Sequence, residues 1–215
     1  TVAMSSRLID SETGQERLDF SVGEIFYFKD RTVTLSGAPK TNSRSNIVAE
    51  LNGQLTNHLS FTSGIQWDPY ADDITRGQTE IKYRNGREKL INLGYRYRKD
   101  EFDLKVEDSK YIIQTDASFR WPLYDNWFGV GRWQYSLKFN STKESFLGLE
   151  KESCCWRFRV VWRRFTNSLS NSTVADEAKM DEGIFLQIEL KGLTSFGDKV
   201  DGFLEKNLNG YQRPK

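Results

Sequence analysis

Hydrophobic and polar residues alternate along most of this chain, most clearly just after its two adjacent cysteines. One set of alternate positions is bulky and apolar: Trp156, Phe158, Val160 and Trp162. The other set is largely basic: Arg157, Arg159, Val161 and Arg163. Because successive side chains leave a strand on opposite faces, this segment is predicted to be a strand with one apolar and one basic face. A soluble sheet would bury the apolar face, whereas a membrane barrel would expose it to lipid and keep the arginines in a wet lumen.

The same alternation recurs over residues 17–194 and predicts about ten strands there. Residues 1–16 show no periodicity and are predicted to be a lead-in loop. Asn85-Gly86 is the strongest hairpin signal, since both central residues of a type I′ turn need positive φ. Over residues 195–215, apolar residues at helical spacing predict a short helix or plug in a C-terminal tail.

The connections between the predicted strands alternate in length. Those after the second, fourth, sixth and eighth predicted strands are short, those after the first, fifth and ninth are long, and those after the third and seventh are of modest length. In an up-and-down meander alternate connections lie on the same side, and short periplasmic turns opposite longer outer loops are typical of outer-membrane proteins. The predicted fold is therefore all-β, an antiparallel up-and-down transmembrane β-barrel segment with its C-terminal tail in the periplasm.

The composition agrees with a barrel. The chain is only 37% hydrophobic yet 13% aromatic, which suits an aromatic-girdled apolar outside around a polar inside. No apolar run approaches the roughly 20 residues of a spanning helix. The net charge of +1 gives no general attraction to nucleic acid. No signal peptide is visible at Thr1, so the chain is expected to be mature or cut from a longer one.

Candidate catalytic and metal-binding residues are scarce. His58 is the only histidine, lies at a predicted turn and has no nucleophile placed beside it, so an enzyme is not expected. A metal site is not expected either, because the cysteines lack CxxC spacing, and no cofactor motif is present. A disulfide between Cys154 and Cys155 would be strained, so any disulfide needs partners outside this chain. Two free thiols are the alternative. The predicted orientation places this pair at the periplasmic rim, where disulfides can form.

Several segments have a specific sequence beyond the alternation. The most specific is ESCCW at 152–156, which leads into the arginine-rich strand. The others are FLQIELKGLTSFG at 185–197, GY at 210–211, SVGEIFYFKDR at 21–31 and NIVAELNGQL at 46–55. Together they resemble the LptD family of lipopolysaccharide-assembly proteins. The resemblance implies that this chain is the C-terminal part of a larger outer-membrane barrel that exports lipopolysaccharide to the outer leaflet through its lumen and a lateral seam.

The resemblance also implies partners and site residues. The partners would be lipopolysaccharide, an LptE-like lipoprotein plug, an LptA-like periplasmic bridge, and the N-terminal jelly-roll and remaining barrel strands of the same protein. Cys154 and Cys155 would each form a disulfide with a cysteine outside this chain. Residues 183–193 would be the last strand, with one lip of the seam formed by Ile184, Leu186, Ile188 and Leu190.

The inward-facing arginines have two interpretations under this resemblance. They would contact the plug protein or lipopolysaccharide phosphates, for which guanidinium groups are suited, or they would be ordinary lumen wall paired with inward carboxylates. The second is favoured for any single one of them. These candidates are Arg96, Arg120, Arg132, Arg157, Arg159 and Arg163.

Two other classes of protein remain open. One is a small self-contained outer-membrane porin or receptor barrel of about ten strands, against which the unpartnered cysteine pair argues. The other is a soluble β-protein that binds a ligand in its interior.

Overall fold

The computed structural model describes residues 1–30, 41–99, 111–166 and 180–212. Within these ranges the chain forms twelve strands and one helix. In chain order they are β1 Val2–Ile9, β2 Glu16–Glu24, β3 Ile47–Thr56, β4 Leu59–Asp68, β5 Asp73–Asn85, β6 Lys89–Lys99, β7 Tyr111–Pro122, β8 Trp127–Ser136, β9 Ser141–Glu152, β10 Trp156–Thr166, β11 Met180–Leu190, β12 Thr194–Gly197 and α1 Val200–Asn207. The strands follow one another in a single sheet in sequence order.

This arrangement confirms the predicted all-β, antiparallel, up-and-down fold with a short C-terminal helix. The prediction of a loop over residues 1–16 is wrong for Val2–Ile9, which pair with β2 from Val2 opposite Glu24 to Leu8 opposite Leu18. Two consecutive serines interrupt the alternation in β1, so its extended conformation depends on the neighbouring strand. The described residues therefore contain twelve strands instead of about ten.

The prediction that residues 183–193 form the last strand is also wrong. β12 follows and pairs with β11 from Gln187 opposite Gly197 to Leu190 opposite Thr194. The backbone of Leu186 then binds Asp198, whose N–H donates to the Leu186 carbonyl oxygen at 2.9 Å. A four-residue strand is too short to show periodicity in the sequence, which explains the miss.

Connection lengths alternate only in part. The turns after odd-numbered strands are short, from residues 57–58 up to residues 10–15. Of the connections after even-numbered strands, residues 25–46 form a long one between β2 and β3, but residues 69–72 and 137–140 form connections as short as the turns on the other side. The hairpin at Asn85-Gly86 is confirmed, but only Gly86 has positive φ, at 63°, and Asn85 remains in β5. In the described part of the chain, no helix is long and apolar enough to cross a membrane.

The chain contains two compact units. The first comprises Thr1–Ile81 and Tyr95–Ile113, and the second comprises Lys82–Gly94 and Gln114–Lys215. In the second unit the apolar side chains of the strands are exposed: Trp133, Leu147, Leu149, Trp162, Ile184, Leu186 and Ile188. The alternate positions are buried although they are polar or charged: Ser118, Arg120, Glu150, Arg157, Arg159 and Gln187. We call these two sides the apolar face and the polar face.

Candidate functional site: the polar face of the sheet

The C-terminal tail packs onto the polar face of the second unit. Its buried apolar side chains form one cluster with side chains of β8, β9 and β10: Val130, Phe146, Val161, Val200, Leu204, Leu208 and Tyr211. Phe203 adds an edge-on contact to Phe146, with ring centroids 4.9 Å apart. The predicted helix therefore covers part of the polar face, and it packs on the few apolar residues that β8, β9 and β10 place on that face.

Beside this cluster lies a chain of ion pairs centred on Glu150 and Arg159, which are 1% and 0% exposed. Glu150 accepts hydrogen bonds from Arg120 Nε at 3.1 Å and from Arg159 Nε at 3.2 Å. Glu189 joins Arg159 Nη1 at 3.1 Å to Arg157 Nη1 at 3.0 Å. Because removal of one partner would leave a buried charge uncompensated, these side chains hold one another in a fixed arrangement.

The tail takes part in this network through polar groups. The Tyr211 hydroxyl donates to Glu150 Oε2 at 2.8 Å. Burial, together with the neighbouring Glu150 carboxylate, raises the pKa of Tyr211 well above its usual range. At the start of α1, Asp201 N donates to Gln187 Oε1 at 3.0 Å and Gln187 Nε2 donates to Asp201 Oδ1 at 3.3 Å. These contacts fix the tail to both β9 and β11, a role for Tyr211 that the sequence analysis did not predict.

Two further arginines of the predicted set are also paired. Arg132 donates to Asp116 Oδ2 at 2.7 Å and to Asn207 Oδ1 at the end of α1 at 2.9 Å. Arg163 donates to Glu144 Oε1 at 2.7 Å. The structure therefore brings five of the six predicted arginines onto one unit, and each of the five has a carboxylate partner. This geometry agrees with a structural wall more than with a free ligand site.

Arg96, the sixth predicted arginine, belongs to the first unit. It lies with Arg76 and Arg98 in the lining of a cavity of about 360 Å³ on the polar face of β3 to β6. Glu50, Gln66 and Gln78 contribute further polar side chains to this lining. Within the described residues, the side chains of these three arginines form no ion pair with a carboxylate, a difference that the strand periodicity alone could not reveal.

The two cysteines occupy the turn between β9 and β10 and are exposed free thiols. Their sulfur atoms lie 2.8 Å apart. The hydrogen bond with Cys155, helped by the Ser153 hydroxyl, lowers the pKa of the Cys154 thiol. The same contact raises the pKa of the Cys155 thiol. Both sulfurs are accessible to a partner, and the disulfides with cysteines outside this chain stay a prediction.

Comparison with known proteins identifies the family. The family model described as "LptD: LPS transport system D" matches residues 1–127. The chain belongs to the LptD family. It is 35% identical, over its whole length, to the LPS-assembly protein LptD of Methylococcus capsulatus, of which it covers 23%. It is 34% identical to that of Nitrosococcus oceani, covering all of this chain and 27% of the relative.

A third LptD relative, the LPS-assembly protein of Pseudomonas fluorescens, is 33% identical over 99% of this chain and 26% of its own length. The chain thus spans about a quarter of the length of the curated relatives it matches. The resemblance stated from ESCCW and the later segments is confirmed, and a small self-contained porin is not favoured.

The apolar residues predicted to form a lateral seam lie on β11, and their side chains are exposed. They are Ile184, Leu186, Ile188 and Leu190. β10 pairs with the whole of β11, whereas β12 pairs only with its last four residues, from Gln187 onward. Within the described residues, the first half of β11 therefore has an edge without a strand partner. An LptD-family chain with such an edge has a place where a further strand can join or separate.

Proposed function

We propose that this chain forms the C-terminal strands of an outer-membrane LptD protein that moves lipopolysaccharide to the outer leaflet. Its relatives carry the name LPS-assembly protein LptD, and the family description concerns LPS transport. The function is transport across a barrel lumen and a lateral seam, without covalent chemistry. The partners inferred from the family resemblance are an LptE-like lipoprotein plug, an LptA-like periplasmic bridge, and the jelly-roll and other strands of the same protein.

The observation that carries the proposal is the reversed burial of the second unit. Leu147, Leu149 and Trp162 are exposed, while Glu150 and Arg159 are buried on the opposite face. In water a wide exposed apolar surface is unfavourable, but in a bilayer the same surface is solvated by lipid tails. The charged polar face then faces an aqueous interior, through which a sugar-bearing lipid headgroup can pass.

The free edges support a barrel that is completed by the rest of the protein. In a bilayer every backbone polar group must be hydrogen-bonded within the protein, so the outer edges of β1 and β11 need neighbouring strands. We assign β11 to one lip of the lateral seam, because β12 covers only part of its edge. We also propose that Cys154 and Cys155 form disulfides with the preceding part of the protein, which the exposure of both thiols supports.

The experiment that tests this function is depletion of the full-length protein in cells, followed by measurement of lipopolysaccharide in the outer leaflet. Newly made lipopolysaccharide should fail to reach the surface on depletion and should return when the wild-type protein is supplied. The porin alternative predicts a different result: surface lipopolysaccharide would be unchanged, and uptake of small solutes would fall instead.

A further inference from the structure

Three arginines on β5 and β6 lack a polar side-chain partner within the described residues. Other arginines of the sheet form ion pairs with carboxylates: Arg7 and Arg17 in the first unit, and Arg120, Arg132 and Arg159 in the second. The side chains of Arg76, Arg96 and Arg98 form no hydrogen bond or ion pair in the described ranges, and all three are exposed. These three charges are therefore not neutralised by a described protein group.

The strand register places two of these arginines side by side. A Cβ atom on Gly77 would lie 3.8 Å from Tyr97 Cβ, so Gly77 and Tyr97 are neighbours across the β5–β6 hairpin. Antiparallel pairing then sets Arg76 opposite Arg98 and Gln78 opposite Arg96 on the polar face. Like charges directly opposite each other destabilise a sheet, and a bound anion would remove this repulsion.

These three arginines line a cavity with a volume of about 360 Å³. Gly64 lies opposite Glu50 in the β3–β4 register and contributes no side chain to the floor. A Cβ at Gly64 would lie 3.5 Å from the Gln78 side chain, so Gln78 packs directly over this glycine. The lining carries three arginines against one carboxylate, that of Glu50, and is therefore basic.

We propose that Arg76, Arg96 and Arg98 bind the phosphate groups on the saccharide part of lipopolysaccharide during its passage along the polar face. The planar guanidinium group presents paired N–H donors that match a phosphate. The volume is at the lower end of ligand pockets, which suits one phosphorylated sugar. The side chains of Gln66 and Gln78 can exchange hydrogen bonds with sugar hydroxyls. This inference rests on the proposed function and adds a substrate-contacting site to it.

The test uses the full-length protein, purified with its lipoprotein partner, and fluorescent lipopolysaccharide with and without its phosphate groups. The double variant Arg76→Ala/Arg98→Ala should bind the phosphorylated form about ten-fold more weakly, as expected for the loss of charge-assisted hydrogen bonds in a half-open site. Binding of the dephosphorylated form should be weak for the wild type and unchanged by the variant. Arg76→Lys/Arg98→Lys should recover part of the affinity, because the charge remains.

Arg164→Ala is the matched control, since Arg164 pairs with Glu182 on the apolar face at 3.1 Å. It should bind like the wild type. The amount of each protein in the outer membrane is measured in parallel, and we expect no loss for the Arg76 and Arg98 variants, because these side chains form no hydrogen bond or ion pair within the described residues. Equal affinities of the wild type and the double variant, in a protein that still exports lipopolysaccharide, would overturn the site and leave the proposed function intact. Loss of export on depletion is tested separately and concerns the function alone.

Discussion

Leu204→Ala should release the C-terminal tail from the polar face. The Leu204 side chain is fully buried between α1 and the strands, in a cluster with Val130 and Val161. Truncation of a buried leucine to alanine costs about 2–5 kcal/mol, because transfer free energy is lost and a cavity remains. A cost of about 2 kcal/mol raises the population of the open tail roughly 30-fold, since about 1.4 kcal/mol corresponds to a factor of ten.

Amide hydrogen exchange of the full-length protein in detergent measures this opening. Leu208 N–H, which donates to the Leu204 carbonyl oxygen at 2.8 Å, should exchange about 30-fold faster or more in the variant, because exchange follows the open population. Leu193→Ala removes the same atoms from a side chain that is 83% exposed and should leave the tail unchanged. If the two variants show the same protection at Leu208, the buried leucine does not hold the tail.

Three further perturbations test the contacts around the tail and the cysteines. Tyr211→Phe removes the hydrogen bond to Glu150 without creating a cavity. It should lower the free energy of tail opening by about 1–2 kcal/mol and so raise the amide exchange rate of the tail. An unchanged exchange rate would mean that water replaces the hydroxyl. Gly148→Ala places a Cβ 2.7 Å from a backbone oxygen of β10 and should lower the thermal stability of the barrel in detergent by about 1–3 kcal/mol; an unchanged melting temperature would contradict this. In reduced protein near pH 8, iodoacetamide should modify Cys154 before Cys155. The thiolate is the reactive form, and the pKa of the Cys154 thiol is lowered whereas that of the Cys155 thiol is raised. Equal labelling of the two cysteines, measured by mass spectrometry, would refute this order of reactivity.

The strands and the chemical character of their faces could be predicted from the sequence. Period-2 alternation is a local property, and Trp156 to Arg163 shows it at every position except Val161, so β10 and its two faces follow directly. The same argument fails for β1, where Ser5 and Ser6 remove the contrast between faces. It also fails for β12, which has four residues and exists through its pairing with β11.

The pairing of side chains across the sheet could not be predicted, because it depends on register. The sequence shows that Arg120 and Arg159 point inward, but not that both reach the two oxygens of Glu150. It shows apolar residues at helical spacing near Leu204, but not that the helix packs on Val161. Arg96 and Arg159 have the same local pattern, and only the contacts show that the side chain of Arg159 is paired with carboxylates and that of Arg96 is not, within the described residues.

The buried charges also give the C-terminal tail a structural role. Desolvation of Glu150 and Arg159 is costly, and it is offset by the hydrogen bonds that these two side chains make with each other and with Arg120, Gln187 and Glu189. Tyr211 supplies one of these bonds to Glu150, and the apolar residues of α1 exclude water from the rest. Docking of the tail therefore stabilises the arrangement of β9, β10 and β11, next to the strand that we assign to the lateral seam.

Exit of lipopolysaccharide past β11 is tested most directly by photo-cross-linking in living cells. A photoreactive amino acid replaces Leu186 on β11 or Leu149 on β9, two apolar side chains that are each 42% exposed on the same face. Newly made lipopolysaccharide should cross-link strongly at position 186 and weakly at position 149, because our proposal puts β11, and not β9, at the seam. Equal cross-linking at both positions would show contact with bulk outer-leaflet lipid and would contradict exit at this strand.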